Sequence, residues 1–232
     1  MEVEKKWLLN SQGYIALLDH MGTEIDIVNA ARVSYDREVA KFGEKDERLL
    51  KYLLNHKHTS PLEMVVFKFE VYCPIFVRSQ WFRHRTWSYN EVSRRYTEEN
   101  IKFYTPEKGS WRKQSNKNKQ LGERPVKECH QVCASAILEK QYQMAKENFT
   151  YLRSMGVCRE QARMLLPQST MTKFIAKVDL NNLIKFLKLR DTEDAQYEIR
   201  VYAEAIKELI RPICPTVMAH LFPQLDLEGV SL

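Results

Sequence analysis

The stretch VVFKFEVY, residues 65–72, carries the clearest strand pattern in the chain. Phe67, Phe69 and Val71 alternate with more polar neighbours. Side chains two positions apart lie on the same face of a strand, so this pattern predicts a strand with one buried face. Pro74 follows and is suited to open a helix. The chain is therefore expected to build a sheet that is covered on one face, with a helix directly after this strand.

Further strand and helix patterns are spread along the chain. Strands are predicted at 13–18 and 169–178, and helices at 24–33, 45–55, 75–85, 126–155, 159–166, 180–190 and 194–209. These elements are interspersed without regular βαβ units, and no linker-like segment divides them. We therefore predict an α+β fold in a single domain, 1–232, in which helices flank a central, mostly antiparallel sheet. The basic segment 105–125 is expected to form a solvated loop.

The composition is typical of a globular protein in the cytoplasm. No apolar run is long enough to cross a bilayer and the N-terminus lacks the layout of a signal peptide, so no membrane partner is expected. The five cysteines include no CxxC pair, which argues against a zinc site and a disulfide framework, and no metal is expected. The net charge of +6 favours anionic partners without separating nucleic acid from nucleotides.

A second feature is the stretch RHRTWSYNEVSRRY, residues 83–96, which holds four arginines around a single carboxylate. Aromatic residues lie between these charges, which suits a planar ligand that carries phosphates; single-stranded RNA and a nucleotide both fit this description. The chain has no G-x-G-x-x-G motif, Walker A loop or G-x-S-x-G elbow, so anion binding must come from side chains. Arginine suits this task, because its planar guanidinium grips phosphate or a carbonyl edge at two points.

The order of residues in this stretch narrows the choice. Arg83-His84-Arg85, seven further residues and then Ser93 resemble the signature of the flavin-dependent thymidylate synthases. Segments similar to that family occur in the same order at 31–36, 58–63, 65–82, 159–167 and 182–200. The resemblance implies that the chain makes dTMP from dUMP, with methylenetetrahydrofolate as the carbon donor and NADPH as the reductant through FAD. It also implies a homotetramer whose active sites lie between subunits, with no nucleic acid as partner.

The resemblance assigns roles to individual residues. Arg190 would be the catalytic residue that activates the uracil ring, in place of a cysteine nucleophile. The dUMP site would consist of Gln80, Trp81, Phe82, Arg83, Glu91, Val92, Ser93, Arg94, Arg95, Arg163 and Arg190. Glu91, Ser93 and Arg95 would reach the site of a neighbouring subunit. The FAD site would consist of Ser60, Arg83, His84, Arg85, Glu91, Asp179, Leu180, Asn181 and Lys185, with His58 on the folate and flavin side.

Three positions depart from the family pattern. Asp179 stands where many members carry asparagine, Lys185 where asparagine or histidine is usual, and Asp194 where histidine is frequent. Plainer interpretations also exist, since Asp179 fits a helix N-cap and Arg190 fits a cation at a helix C-terminus. Two other functions stay open: a single-stranded RNA-binding module that uses the aromatic–arginine stretch and the basic loop Lys102–Lys127, and a flavoprotein with NADPH oxidase activity on the same fold.

Overall fold

The strand expected at 65–72 lies at the centre of a five-stranded sheet. The structure is a computed structural model that describes residues 3–223. Its strands are β1 (Lys6–Leu8), β2 (Gly13–Met21), β3 (Val66–Pro74), β4 (Ser88–Glu91), β5 (Arg112–Gln114), β6 (Gly122–Pro125) and β7 (Met171–Asp179). Five of them form one sheet in the order β1-β2-β3-β7-β4, in which every neighbouring pair is antiparallel. The prediction of a central antiparallel sheet is confirmed.

The two faces of this sheet differ as the alternating pattern predicts. Phe69 of β3 lies opposite Leu17 of β2 and Ala176 of β7, and Phe69 and Ala176 are fully buried. On the opposite face Glu70 accepts a hydrogen bond from the Tyr14 hydroxyl at 2.7 Å. An antiparallel sheet commonly has one face in the core and one polar face. The core of the molecule therefore lies on the Phe69 side.

The helices of the described chain are α1 (Glu24–Arg32), α2 (Glu44–Asn55), α3 (Ile75–Trp81), α4 (Glu128–Ser154), α5 (Arg159–Ala162), α6 (Leu180–Arg190), α7 (Tyr197–Ile210) and α8 (Pro215–Leu221). All of them except α4 and α5 contribute buried side chains to the core on the apolar face. Trp81, at the end of α3, is fully buried against the rings of Phe186 in α6 at 4.8 Å and Tyr202 in α7 at 5.9 Å. This packing joins α3, α6 and α7, and truncating a buried tryptophan to alanine typically costs about 3–5 kcal/mol.

Local signals set several helix ends as predicted. Asp179 is the N-cap of α6, because its side chain accepts a hydrogen bond from the main-chain N–H of Asn182 at 2.9 Å. Gly156 follows the end of α4 with φ of +87°, a conformation that glycine adopts without the steric cost of a Cβ atom. These two positions confirm the start of α6 and the end of α4.

Several elements differ from the sequence-based expectations: strands β1 and β4 were not predicted, and the helix expected at 159–166 is α-helical only to Ala162. Helix α3 ends at Trp81, four residues before the predicted end. Part of the basic segment 105–125 forms an exposed two-stranded sheet of β5 and β6. Helix α8 was not predicted. Among residues 3–223, no helix is long and apolar enough to cross a membrane.

Candidate functional site

The C-terminal ends of α3 and α6 meet and bring Arg190 against Gln80 and His84. Arg190 is the last residue of α6, and its Nη2 donates to the main-chain carbonyl of Gln80 at 3.0 Å. Its Nε donates to Nε2 of His84 at 3.2 Å. Neither partner is an anion, and no carboxylate within residues 3–223 forms an ion pair with this guanidinium. Arg190 is thus a half-buried cation whose charge is not compensated by the described part of the chain.

His84 is neutral in this arrangement. Partial burial, together with the positive charge of Arg190, lowers the pKa of His84 from 6.5 to about 4. Because Arg190 donates to Nε2, that nitrogen must accept, and the proton of the imidazole lies on Nδ1. Burial also lowers the pKa of Arg190, although an arginine stays protonated under ordinary conditions. The pair therefore presents one positive charge rather than two.

The chain leaves α3 through a turn that Tyr89 stabilises. The hydroxyl of Tyr89 donates to the carbonyl of Trp81 at 3.1 Å and to that of His84 at 3.0 Å. These are carbonyls at and beyond the helix end that lack partners within the helix. The Tyr89 ring also stacks on Phe82, with ring centroids 4.1 Å apart. A single side chain of β4 thus ends α3 before residue 85 and places His84 beside Arg190.

Three other predicted arginines are exposed and unpaired. The side chains of Arg83, Arg85 and Arg163 form no hydrogen bond or ion pair with any residue in the range 3–223. Arg83 and Arg85 flank His84 in the turn after α3, whereas Arg163 begins a 3₁₀ turn after α5. Surface arginines without protein anions are free to bind an external anion through their donor forks.

Glu91 and Val92, by contrast, are engaged at the edge of the sheet. Oε1 of Glu91 forms an ion pair with Arg78, whose Nε lies 3.1 Å away, and accepts a hydrogen bond from the Thr172 hydroxyl at 2.7 Å. The main-chain N–H of Val92 donates to the carbonyl of Lys173 at 2.9 Å. These contacts fix the path of the signature stretch along β7.

The rest of the predicted dUMP set forms a second group. Ser93 Oγ accepts from the main-chain N–H of Arg95 at 3.2 Å, and the Arg95 side chain lies 3.5 Å from Glu160. Arg94 donates to main-chain carbonyls only, among them that of Glu99 at 2.6 Å. None of these side chains, nor that of Arg163, bonds to Arg190 in the described chain. Ser93 and Arg94 are thus held by hydrogen bonds to nearby main-chain groups, and Arg95 by an ion pair, without a bond to Arg190.

The predicted FAD residues around the N-terminus of α6 are largely occupied by protein contacts. Both carboxylate oxygens of Asp179 accept hydrogen bonds from Asn182. Leu180 is fully buried, and its N–H donates to the carbonyl of Val65. Asn181 is buried and donates to Glu63 at 3.0 Å.

The remaining predicted FAD residues are exposed. Lys185 is exposed and donates to Asn182 at 3.2 Å. Ser60 and His58 are exposed, and the edge of the His58 ring lies against Tyr52, with centroids 5.9 Å apart. Besides Arg83 and Arg85, the side chains of Ser60, Lys185 and His58 are thus open to a ligand.

Gln196 and Glu198 were not among the predicted site residues, although Gln196 contacts Gln80 directly and Glu198 holds Gln196. Gln80 Nε2 donates to Oε1 of Gln196, and Nε2 of Gln196 donates to Glu198 at 2.8 Å. Both residues lie in the segment 182–200, which resembles the family, but the resemblance assigned them no role. The α7 start therefore belongs to the surroundings of Arg190.

No cysteine is placed to act as a nucleophile beside Arg190. Burial raises the pKa of the Cys73 and Cys214 thiols well above the usual value. The other three cysteines are exposed and lie on α4 or before α5. Within residues 3–223, no group of three or more potential ligand side chains is arranged to hold a metal ion.

The fold places guanidinium groups without carboxylate partners at its surface, and such groups suit the binding of anionic ligands. Residues 16–216 match the family model of thymidylate synthase complementing proteins. The chain therefore belongs to that family, as its signature stretch predicts.

Similar proteins agree in both sequence and structure. The flavin-dependent thymidylate synthase of Thermus thermophilus is 48% identical over 221 residues, which cover 95% of this chain and 79% of the relative. That of Pseudothermotoga lettingae is 40% identical over 204 residues, with 88% and 87% covered. The crystal structure of the UMP/dUMP methylase PolB from Streptomyces cacaoi, bound with 5-Br UMP, superposes with a TM-score of 0.81 at 29% identity. It covers 90% of this chain and 92% of PolB.

Proposed function

We propose that this protein converts dUMP to dTMP by reductive methylation. Methylenetetrahydrofolate would supply the carbon, and NADPH would supply the reducing equivalents through FAD. The observation that carries the proposal is Arg190, a half-buried guanidinium held by a neutral imidazole and a main-chain carbonyl. A cation fixed in advance, without a competing carboxylate, stabilises negative charge that develops on a ligand. Membership in the family, and the activities for which the similar proteins are named, support dUMP as that ligand.

Arg190 would activate the pyrimidine ring. Carbon five of uracil is a weak nucleophile until negative charge enters the ring. A thiolate that adds to carbon six achieves this in other enzymes, but the buried thiols of Cys73 and Cys214 resist ionisation. The guanidinium of Arg190 would instead stabilise the charge on the ring as it forms. His84 supports this role, because as a neutral acceptor it orients Nε of Arg190 and adds no competing charge.

The residues present fit FAD as the cofactor. Arg83 and Arg85 present guanidinium groups that no protein anion occupies, which is the donor set that a pyrophosphate requires. Exposed Lys185 would add a cation, and exposed Ser60 would add a hydroxyl. Asp179 would contribute little, because the helix cap uses both of its oxygens. When bound, FAD supplies the reducing equivalents that no side chain can provide.

A homotetramer would complete the site. Ser93 forms no hydrogen bond with Arg190 inside one subunit, and the Arg163 side chain has no protein anion beside it, so a neighbouring copy is a suitable source for part of the dUMP set. Helix α4 supports assembly. Its residues Ile137, Met144 and Tyr151 are apolar or aromatic, are spaced by seven positions and are exposed, with Ile137 70% exposed. Large exposed apolar patches on a protein commonly mark interfaces.

The RNA-binding alternative loses its main support. Single-stranded RNA binding needs aromatic faces on which bases can stack. Trp81 and Trp87 are buried, and Phe82 and Tyr89 stack on each other. Tyr96 is the aromatic ring of this stretch that is largely exposed. The interleaved aromatics therefore build the core behind the arginines rather than a platform for bases.

The test is tritium release from dUMP labelled at carbon five, with FAD, NADPH and methylenetetrahydrofolate present. We expect release by the wild type and a loss of about 10²–10³-fold in Arg190→Ala, comparable to losing an oxyanion-hole donor. Lys188→Ala is the matched control, since Lys188 is an exposed cation in the same last turn of α6, and it is expected to retain activity.

The other outcomes separate the rival functions. Release that persists in Arg190→Ala would keep the methylation and remove Arg190 as the activating residue. A yellow wild-type protein that oxidises NADPH without releasing tritium would favour the flavin oxidase. A colourless protein without activity would favour the single-stranded RNA-binding module.

A further inference from the structure

The side-chain amide of Gln80 is held by a chain of hydrogen bonds that begins at a buried carboxylate. Glu198 lies in the first turn of α7 and is 7% exposed. Its Oε2 accepts from Nε2 of Gln196 at 2.8 Å. Oε1 of Gln196 in turn accepts from Nε2 of Gln80. These hydrogen bonds thus connect the buried first turn of α7 to the end of α3.

The chemistry of the carboxylate fixes the direction of this chain. Glu198 carries acceptors only, and its second oxygen already faces Nη2 of Arg112 and the Tyr104 hydroxyl, each at 3.4 Å. Gln196 must therefore turn its NH₂ group to Glu198 and its oxygen to Gln80. Gln80 must then donate to Gln196. A carboxamide has one oxygen and one NH₂ group, so the orientation of both glutamines follows from that single carboxylate.

The oxygen of Gln80 is left free as an acceptor. Within residues 3–223 no group donates to Gln80 Oε1, and this atom is not sealed in the interior. The same residue also holds Arg190, because its main-chain carbonyl accepts from the guanidinium at 3.0 Å. Gln80 therefore carries an unpartnered acceptor on its side chain and holds an uncompensated cation on its main-chain carbonyl.

We propose that Gln196 and Glu198 are positioning residues that make this site select uracil over cytosine. The inference rests on the proposed function, which places Gln80 in the dUMP pocket. Uracil has an N–H donor at ring nitrogen three, whereas cytosine has a lone pair there. An amide that rotates freely can offer its oxygen to uracil or its NH₂ group to cytosine. An amide fixed with its oxygen free accepts from uracil and opposes the lone pair of cytosine.

The test compares the binding of two nucleotides to the flavin-loaded protein. The dissociation constants of dUMP and dCMP are measured by calorimetric titration, and their ratio is the readout. In Glu198→Gln the new amide can donate to Gln196, so both glutamines can reverse. We expect the preference of the wild type for dUMP to fall by about tenfold or more in this variant. Gln196→Met removes the hydrogen bonds to Gln80 and Glu198 and leaves Glu198 in place, and it is expected to lower the same ratio.

Tyr104→Phe is the matched control. It removes a contact to the same carboxylate and leaves that carboxylate an acceptor, so the ratio is expected to match the wild type. Flavin absorbance and the melting temperature of each variant report whether the site is intact. If Glu198→Gln and Gln196→Met weaken both nucleotides equally, the chain only ties α3 to α7 and the inference is overturned. A wild type that binds neither nucleotide would overturn the proposed function itself.

Discussion

Nε of Arg190 donates to Nε2 of His84 across 3.2 Å, so a permanent cation is hydrogen-bonded to an uncharged imidazole. A guanidinium has five N–H donors, and His84 and the Gln80 carbonyl use two of them. The remaining donors keep a fixed direction, because the planar group is held at two points. A catalytic role for Arg190 therefore depends on geometry as well as on charge.

Arg190→Lys tests the contribution of that geometry. Lysine keeps the positive charge, but its ammonium is a point charge that cannot bond to His84 and Gln80 and also span a planar ligand. We expect kcat for tritium release to fall by about 10²–10³-fold. Steady-state measurement with varied dUMP separates kcat from KM. A lysine variant with the wild-type kcat would show that charge alone suffices.

The neutral state of His84 predicts sensitivity to acid. Its pKa is about 4 in the folded protein, whereas an unfolded histidine titrates near 6.5. Between these two values the unfolded chain binds a proton that the folded chain does not. Stability therefore falls as the pH falls through this window. We expect His84→Gln, which keeps an acceptor and does not titrate, to lose less melting temperature than the wild type between about pH 7 and pH 5.

His130→Gln is the control for this experiment. His130 is exposed on α4, and its side chain has no partner in the described chain, so its replacement is expected to leave the acid sensitivity unchanged. Equal acid sensitivity in His84→Gln and the wild type would mean that His84 does not titrate as its contact with Arg190 implies.

Gly13 predicts a stability effect that is independent of the site. A Cβ atom there would lie 2.1 Å from the Tyr202 hydroxyl and 2.9 Å from the Tyr72 carbonyl. The Tyr202 hydroxyl donates to that carbonyl at 2.6 Å, so Gly13→Ala would break a buried hydrogen bond that joins α7 to β3. We expect a loss of about 1–3 kcal/mol in the free energy of unfolding, measured with denaturant.

Gly43→Ser provides the comparison for Gly13→Ala. At Gly43, the N-cap of α2, the nearest atom to an added Cβ lies 3.8 Å away, and serine is a favoured N-cap residue. Its stability should match the wild type. A Gly13→Ala protein as stable as Gly43→Ser would show that Tyr202 can move at no cost.

Elements with local causes were predictable from the sequence. The alternation around Phe69 marks β3, because burial on one face selects every second residue. Asp179 caps α6 by accepting from the N–H of Asn182, three residues further along, so the signal is contained in one short segment. The end of α3 was mispredicted for the opposite reason. The carbonyl of its last residue, Trp81, accepts from the Tyr89 hydroxyl of β4, and no pattern inside the helix carries that information.

The residues of the candidate site were likewise predictable only in part. The signature stretch located Arg83, His84 and Arg85, and similarity to the family pointed to Arg190. Their contact joins residues 106 positions apart, so only the fold brings them together. Gln196 and Glu198 were missed because an amide and a carboxylate two residues apart are ordinary at a helix start. Their importance depends on the direction of a hydrogen-bond chain, which appears only in three dimensions.

The exposed row on α4 predicts how the site is assembled. Ile137, Met144 and Tyr151 are spaced by seven residues and are 70%, 47% and 65% exposed. Residues seven apart lie on one side of a helix, so these three apolar side chains form a row along α4, with polar residues between them. We expect Ile137→Glu to dissociate the assembly, because burying an unpaired carboxylate at an interface is costly. Sedimentation velocity would detect the change in mass, and tritium release should fall in parallel.

Lys146→Glu makes the corresponding change on another side of α4. Lys146 is exposed, and its side chain forms no hydrogen bond or ion pair with any residue in the range 3–223, so the charge reversal should leave both assembly and activity as in the wild type. The two variants together separate the apolar row from a general effect of negative charge on α4. If Ile137→Glu sediments as a monomer and keeps its activity, then Ser93, Arg95 and Arg163 of one subunit must serve the Arg190 of the same subunit. The proposal of a shared active site would then be wrong, even though the family assignment would stand.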